Sequence, residues 1–299
     1  MTLKIEQVTK RFGDFTAVDH LSLEIPRNQI FGFLGSNGAG KTTTFRMILG
    51  LIDQTEGKIT WDGEAINYQR TDQIGYLPEE RGLYPKLTVK DQIIYLGRLK
   101  GMKKGAILGE LDKWLERFKI SHYMDKKVEE LSKGNQQKIQ FISAVIHQPK
   151  LLILDEPFSG LDPVNVEQMK DAVVELKQNG TTIVFSSHQM ATVEELCEYL
   201  CIIQDGKPVI HGSLTEVKRS FGKKNLFIHA DFELTFLKDL PGVVNQKITS
   251  EGCILQIESE EVSQSILEAV HQKGMVRLFA LEEPSLNDIF IEKVGKSYE

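Results

Sequence analysis

The sequence predicts an α/β protein, a core built on a parallel sheet followed by a smaller α+β domain. Three observations carry this expectation. Short apolar runs (IFGFLG, LLILD and TTIVFSS) alternate with segments of helical periodicity, the pattern of buried parallel strands joined by helical crossovers. A glycine cluster, GSNGAGKT at Gly35 to Thr42, opens directly from the first of these runs and leads into a helix. Beyond about Phe221 the pattern changes to alternating strands around one helix, and residues 221–299 carry 13 acidic against 8 basic residues, so most of the formal charge of −6 sits there.

Taken in order, LKIEQV and LSLEI alternate as strands, and IFGFLG is a short apolar strand. TTFRMILGL then places Phe45, Ile48, Leu49 and Ile52 on one helical face, followed by a turn at Gln54 to Gly57 and a hairpin in KITWDGEAI. Ile74 to Leu77 is another short strand. From Thr88 to about Lys150 the pattern is helical: TVKD offers a capping box, and IIYLGRL, LDKWLERF and QQKIQFISAVI repeat at helical spacing. Pro163 to Asn179 is a helix stopped by Gly180. In the last portion LFIHADF, CILQIES and VRLFALE are strands around the helix VSQSILEAVHQKG. The expected domains are therefore residues 1–220, with a helical subdomain at about 88–148, and residues 221–299.

Composition narrows the function. At 41% hydrophobic and 26% charged, the chain is that of an ordinary globular protein, and its net charge of −6 argues against a nucleic-acid partner, which is usually met by a basic face. No apolar run approaches the roughly 18 residues of a membrane span, and MTLKIEQVTK lacks the apolar segment of a signal peptide, so a cytoplasmic location is expected. Cys197, Cys201 and Cys253 form no CxxC pair and read as buried free thiols.

GSNGAGKT has the spacing of a P-loop. Its glycines let the backbone N–H groups of Gly35, Ser36, Asn37, Gly38, Ala39 and Gly40 turn toward phosphates, Lys41 reaches the β and γ oxygens, and Thr42, with Thr43 beside it, starts the helix and can ligate Mg²⁺. LLILDEPFSGLDP supplies the acidic half. Asp155 ends a buried strand, where its carboxylate can hold Mg²⁺ through water, and Glu156 can polarise an attacking water. His188 follows TTIVFSS and emerges at the same carboxyl edge of the sheet.

The order P-loop, helical insert, LSKGN, LLILDEP, SGLD and SSH resembles the ATP-binding-cassette ATPases, the nucleotide-binding subunits of ABC transporters, over about residues 1–220. The resemblance implies a P-loop NTPase core with an antiparallel β subdomain and a helical subdomain. It implies ATP and Mg²⁺ as ligands, with Phe12 stacked on adenine, Glu156 as general base and His188 against the γ-phosphate. Ser132, Lys133 and Gly134 match the family's signature, usually Leu-Ser-Gly-Gly-Gln, whose helix N-terminus faces the γ-phosphate bound by a second subunit. A homodimer or cassette pair with ATP at the interface follows, with Ser159 and Asp162 in the loop linking the two sites. Lys133 and Asn135 depart from the usual signature. The end of the chain is similar to the accessory domain of bacterial ABC subunits of the sodium- or drug-export type.

The same resemblance gives GYLPEERG its interest. Glu79 stands where the family usually has a glutamine that helps ligate Mg²⁺ and couples the site to the membrane subunit. A glutamate keeps an oxygen for the metal and adds a charge, costing about 3 kcal/mol per unit charge at about 5 Å from a phosphate oxygen with an effective dielectric near ~20. The divalent metal would offset this, and Arg81 offers a second counter-charge unless it points to solvent. Glu80 reads as a surface residue, and GLYPKLT is expected to face the membrane subunit.

The leading function is therefore ATP hydrolysis energising transport, in the export direction, through a separate membrane-spanning permease, which would hold the chain on the inner face of the membrane. The competing readings are a soluble cassette ATPase acting on a ribosome or DNA, and a nucleotide-binding regulator. The first usually carries two cassettes or long coiled-coil insertions, absent here, and Glu156 argues against the second.

Overall fold

The computed structural model describes residues 2–66, 68–80 and 82–295; Arg81 lies outside the described residues. The chain divides into two compact units, Met1–Gly212 and Ser213–Glu299. The division precedes the change of character near Phe221, because a short helix capped by Ser213 groups with the second unit.

The first unit opens with β1 (Leu3–Phe12) and β2 (Phe15–Ile25), paired antiparallel with Phe12 opposite Phe15. β3 (Ile30–Leu34) and α1 (Lys41–Ile48) flank the glycine cluster, and β4 (Glu56–Trp61) and β5 (Glu64–Ala65) form the hairpin expected in KITWDGEAI. Strands β1, β2, β4 and β5 make one antiparallel sheet, in the order β2-β1-β4-β5. Leu3, Ile5, Val8, Leu21 and Trp61 of that sheet share one core with Phe33, Phe45 and Ile153. The rings of Phe33 on β3 and Phe45 on α1 lie 5.6 Å apart, which fixes the two elements on either side of the loop to each other.

β6 (Ile74–Leu77) leads into three helices, α2 (Val89–Leu99), α3 (Lys104–Arg117) and α4 (Lys133–Val145). Thr88 caps α2 by accepting the Asp91 N–H, as the TVKD pattern predicts. Trp114 and Phe118 of the α3 end stack with ring centroids 5.8 Å apart and meet Phe141 of α4 edge-on, so an aromatic cluster holds the helical subdomain together. There follow β7 (Leu151–Asp155), α5 (Pro163–Gln178), β8 (Thr182–Ser187), α6 (Met190–Leu196), β9 (Tyr199–Gln204) and β10 (Lys207–Ser213). The second sheet has the order β10-β9-β3-β8-β7-β6, with β9, β3, β8, β7 and β6 in parallel register. The fully buried runs of β3, β7 and β8 explain why these strands are continuously apolar.

The second unit contains α7 (Leu214–Ser220), β11 (Lys224–Ala230), β12 (Val243–Ile248), β13 (Gly252–Ile257), α8 (Glu260–His271), β14 (Val276–Glu282) and α9 (Leu286–Val294). Its antiparallel sheet has the order β12-β13-β11-β14. Leu226, Ile228, Cys253, Leu255 and Ile257 pack against Ile266 and Val270 of α8 to form a core of its own. All three cysteines are buried free thiols.

Candidate active site

Four adjacent parallel strands end on one edge of the second sheet, and every acid or base singled out there in the sequence follows one of them. Gly35 follows β3, Asp155 closes β7, His188 follows β8, and Glu79 lies two residues beyond β6. The carboxyl edge of such a sheet is where crossovers diverge and leave room for a ligand.

The loop between β3 and α1 needs its glycines. Gly40 has φ 105°, and a Cβ there would lie 2.5 Å from the Ala17 carbonyl oxygen; Gly38 has φ 83°. No side chain caps α1, whose first-turn N–H groups are thereby available to an anion at the loop. Lys41 Nζ donates to the carbonyl oxygens of Gly35 at 2.8 Å and Ser36 at 3.1 Å, inside the loop. Burial pulls its pKa below the ordinary lysine value, against the opposing charges of Glu156, Asp155 and Glu79.

Asp155 is gripped from two sides. Thr42 Oγ1 donates to one carboxylate oxygen at 2.9 Å, and Ser186 Oγ donates to the other at 2.6 Å. A hydroxyl beside a carboxylate is the hard-oxygen pairing that suits Mg²⁺, so these residues fit that ion. Among the described residues no group of three or more His, Cys, Asp or Glu could hold a metal, so an ion at Thr42 and Asp155 would depend on nucleotide oxygens and water to complete its shell.

Glu156 is 8% exposed, and it has φ 50°, a conformation that costs a non-glycine residue energy and needs support from its surroundings. That support is visible: its N–H donates to Ser186 Oγ at 2.9 Å, and its Oε2 lies 2.9 Å from His188 Nδ1. Burial pushes its carboxyl above the usual carboxylate range, opposed chiefly by the charges of His188 and Lys41. Ser186, which serves both acids, was not singled out in the sequence; its signal there is a hydroxyl residue at the end of an otherwise apolar strand, two positions before the histidine.

Glu79 and Glu80 are both exposed. Glu79 nevertheless lies close enough for its charge to oppose, after those of Glu156 and Asp155, the lowering of the Lys41 pKa by burial, and to add to burial and Asp155 in pushing that of Tyr76 up to about 12. Phe12 is 51% exposed at the tip of the β1–β2 hairpin, with Lys10 Nζ 4.9 Å from its ring centroid, so it is a surface aromatic and no part of the core. Ser132 caps α4, accepting the Asn135 N–H at 3.3 Å, and Lys133 is exposed in the first turn. A Cβ at Gly134 would lie 2.9 Å from Asn165 Nδ2, so α4 approaches the start of α5, which Asp162 caps. Within this chain Ser132 and Gly134 are thus engaged with α4 and α5, and the P-loop cluster is made by Lys41, Thr42, Asp155, Glu156 and His188.

A family model described as "ABC transporter" matches residues 18–159, and one described as "ATP-binding protein DrrA1-3-like, C-terminal domain" matches residues 212–294. The chain is 64% identical over 297 residues, 99% of its length and 100% of the relative's, to the uncharacterized ABC transporter ATP-binding protein YhaQ of Bacillus subtilis (strain 168). It is a member of the ABC transporter family of ATP-binding proteins. ATP hydrolysis coupled to transport is the general activity of this family. The ABC ATP-binding protein is also 34% identical to the Nod factor export ATP-binding protein I of Cupriavidus metallidurans, over 98% of this chain and 97% of that one. A solved structure of the ATP-binding subunit of an ABC transporter superposes with a TM-score of 0.70 at 28% identity, covering 74% of this chain and 94% of that one. Among its described residues, this ABC protein has no helix long and apolar enough to cross a membrane. The segment GLYPKLT leaves Tyr84 and Leu87 exposed, and the Tyr84 ring meets that of Tyr95, also exposed on α2, edge to face at 5.9 Å.

Proposed function

We propose that this chain hydrolyses ATP, with Mg²⁺, to drive export through a membrane-spanning permease that holds it on the inner face of the membrane. The observation that carries the reading is the joint support of two adjacent acids at the P-loop: Asp155 held by Thr42 and Ser186, and Glu156 held by Ser186 and His188. In this reading the loop N–H groups from Gly35 to Thr43 and the Lys41 ammonium bind the phosphates, and Phe12 stacks on adenine. Thr42 and Asp155 would hold Mg²⁺, Asp155 through water, with Glu79 beside it; the ion supplies charge neutralisation at the phosphate oxygens. Glu156 accepts the proton of the attacking water, and its raised pKa makes it a stronger base than an ordinary carboxylate. His188 holds that carboxylate through Nδ1 and presents its other nitrogen to the γ-phosphate.

Ser132 and Gly134 complete the site in trans. Their helix N-terminus meets the γ-phosphate bound to a second copy or a paired cassette, so one chain alone is a poor ATPase. The exposed and mutually packed rings of Tyr84 and Tyr95, on and just after the segment GLYPKLT, support a docking surface for the permease, since exposed apolar patches mark interaction sites. The export direction is supported by the DrrA-like C-terminal match and by the Nod factor export relative.

Affinity purification of the full chain from detergent-solubilised membranes tests the reading. A multi-span membrane protein is expected to copurify and to raise the ATPase rate. Recovery of ribosomal subunits, with no membrane protein, would overturn it.

A further inference from the structure

Helix α4 carries a row of amide and amine side chains that the proposed chemistry does not use. Gln137, Lys138 and Gln140 are all buried, although each is polar and sits in a helix whose other buried positions are apolar or small. Gln137 Nε2 donates to the Pro157 carbonyl at 3.2 Å, one residue past Glu156. Lys138 Nζ donates to Gln168 Oε1 on α5 at 2.6 Å. Gln140 Nε2 donates to the carbonyl oxygens of Pro78 at 3.1 Å and Glu80 at 3.0 Å, the two residues on either side of Glu79.

The attachment to the Glu79 segment continues along β6. A Cβ at Gly75 would lie 2.3 Å from the Ala144 carbonyl oxygen, so strand and helix are in direct backbone contact, and His147 Nε2 lies 3.1 Å from the Ile74 carbonyl oxygen. From Ile74 to Glu80 this segment is therefore fastened to α4 and the residues just after it. Gln140 makes the attachments that flank Glu79, at the segment's acidic tip. It is 3% exposed, and its Oε1 has no partner among the described residues. Burying an amide with one end unpaired costs more than burying an apolar side chain of the same size, so packing alone does not account for it.

We propose that Gln140 is a positioning residue: by holding the carbonyls on both sides of Glu79 it fixes that loop to α4, so that the residue-79 carboxylate and the α4 N-terminus at Ser132 move as one body. Gln140 and the Ser132 cap lie eight residues apart along the chain, about 12 Å at the helical rise. This rests on the reading above, in which Glu79 stands beside the metal of its own site and Ser132 meets the nucleotide of the other. A displacement of the loop by the permease is then felt at both ATP sites.

The test uses the full-length chain purified with its membrane partner, measuring ATP hydrolysis against ATP and against Mg²⁺. Gln140→Leu keeps the volume and removes the donor. It is expected to lower kcat about tenfold, leave KM for ATP within about twofold, and raise the Mg²⁺ concentration for half-maximal rate several-fold. The double variant with Glu79→Ala should be no slower than Glu79→Ala alone, because Gln140 acts through residue 79. Unchanged kcat and Mg²⁺ dependence in Gln140→Leu, when Glu79→Ala alters both, would overturn the proposal and leave the Glu79 reading standing. So would fully multiplicative losses, or a loss that follows only a lowered thermal midpoint. A silent Glu79→Ala would instead remove the Glu79 reading, and this proposal with it. If Gln140→Leu does not fold, Gln140→Met serves the same comparison.

Discussion

Nδ1 of His188 lies 2.9 Å from Oε2 of Glu156, and the two residues reach each other from the ends of neighbouring strands. The contact joins an exposed imidazole to a carboxylate that is almost fully buried and held at a positive φ. It gives the acid a fixed orientation and a countercharge whenever the ring is protonated. Removing either partner should therefore change the chemistry in a different and recognisable way.

Glu156→Gln keeps the shape of the side chain and the backbone bond to Ser186, but removes the base. Hydrolysis is expected to fall by about 10²- to 10⁴-fold, the range for loss of a positioned general base. ATP binding is expected to survive, and with it ATP-dependent dimerisation. Phosphate release and light scattering in the presence of ATP measure the two effects; undiminished turnover would show that another group takes the proton.

His188→Ala acts on the pH dependence. Glu156 must be ionised to accept a proton, so turnover falls as pH drops through its pKa. Burial raises that pKa, while the charge of His188 and its hydrogen bond lower it. Losing the histidine leaves burial less opposed, so the acid limb of the kcat profile should move to higher pH. Comparing the profiles of the two proteins checks this, since a limb at the same pH would mean that the imidazole does not govern the carboxylate.

The parts of the site that were legible in the sequence are those whose function depends on local spacing. The P-loop needs its glycines, lysine and threonine within eight residues, and Asp155 and Glu156 are adjacent at a strand end, so both survive as linear patterns. Ser186 and Gln140 were not legible. Ser186 reaches Asp155 only because β7 and β8 pair with Asp155 opposite Ser186, and Gln140 reaches Pro78 and Glu80 only because α4 packs on β6. Register and packing place them, and neither is written in local periodicity. In the second unit, β12 escaped notice because its VVNQKI side chains are exposed or half-buried with no apolar face, and α9 because it is only nine residues long.

The close approach of β6 to α4 predicts an asymmetry between two glycines. Gly75→Ala would place a methyl group 2.3 Å from the Ala144 carbonyl oxygen and 2.8 Å from Leu152 Cδ1, contacts that force the backbone to move. Overpacking of this kind costs roughly 1–3 kcal/mol, and a backbone partner puts it at the upper end. Gly109, exposed within α3 with open space around it, should respond in the opposite sense, gaining roughly 0.5–1 kcal/mol on change to alanine. Urea unfolding midpoints of the two variants measure both signs.

Glu79→Gln removes one negative charge from the mouth of the site without shortening the side chain. Because Glu79 is exposed, solvent screening reduces its repulsion of a phosphate well below the about 3 kcal/mol expected for a partly buried pair at about 5 Å. The charge still acts on Lys41, so it is present where the phosphates would lie. Two opposed effects follow. ATP affinity measured with the metal chelated should rise several-fold as the repulsion is lost, while the Mg²⁺ concentration needed for half-maximal hydrolysis with the membrane partner should also rise, because the metal loses a neighbouring anion. Hydrolysis and Mg²⁺ dependence both unchanged would mean that the carboxylate at 79 faces water alone and takes no part in the site.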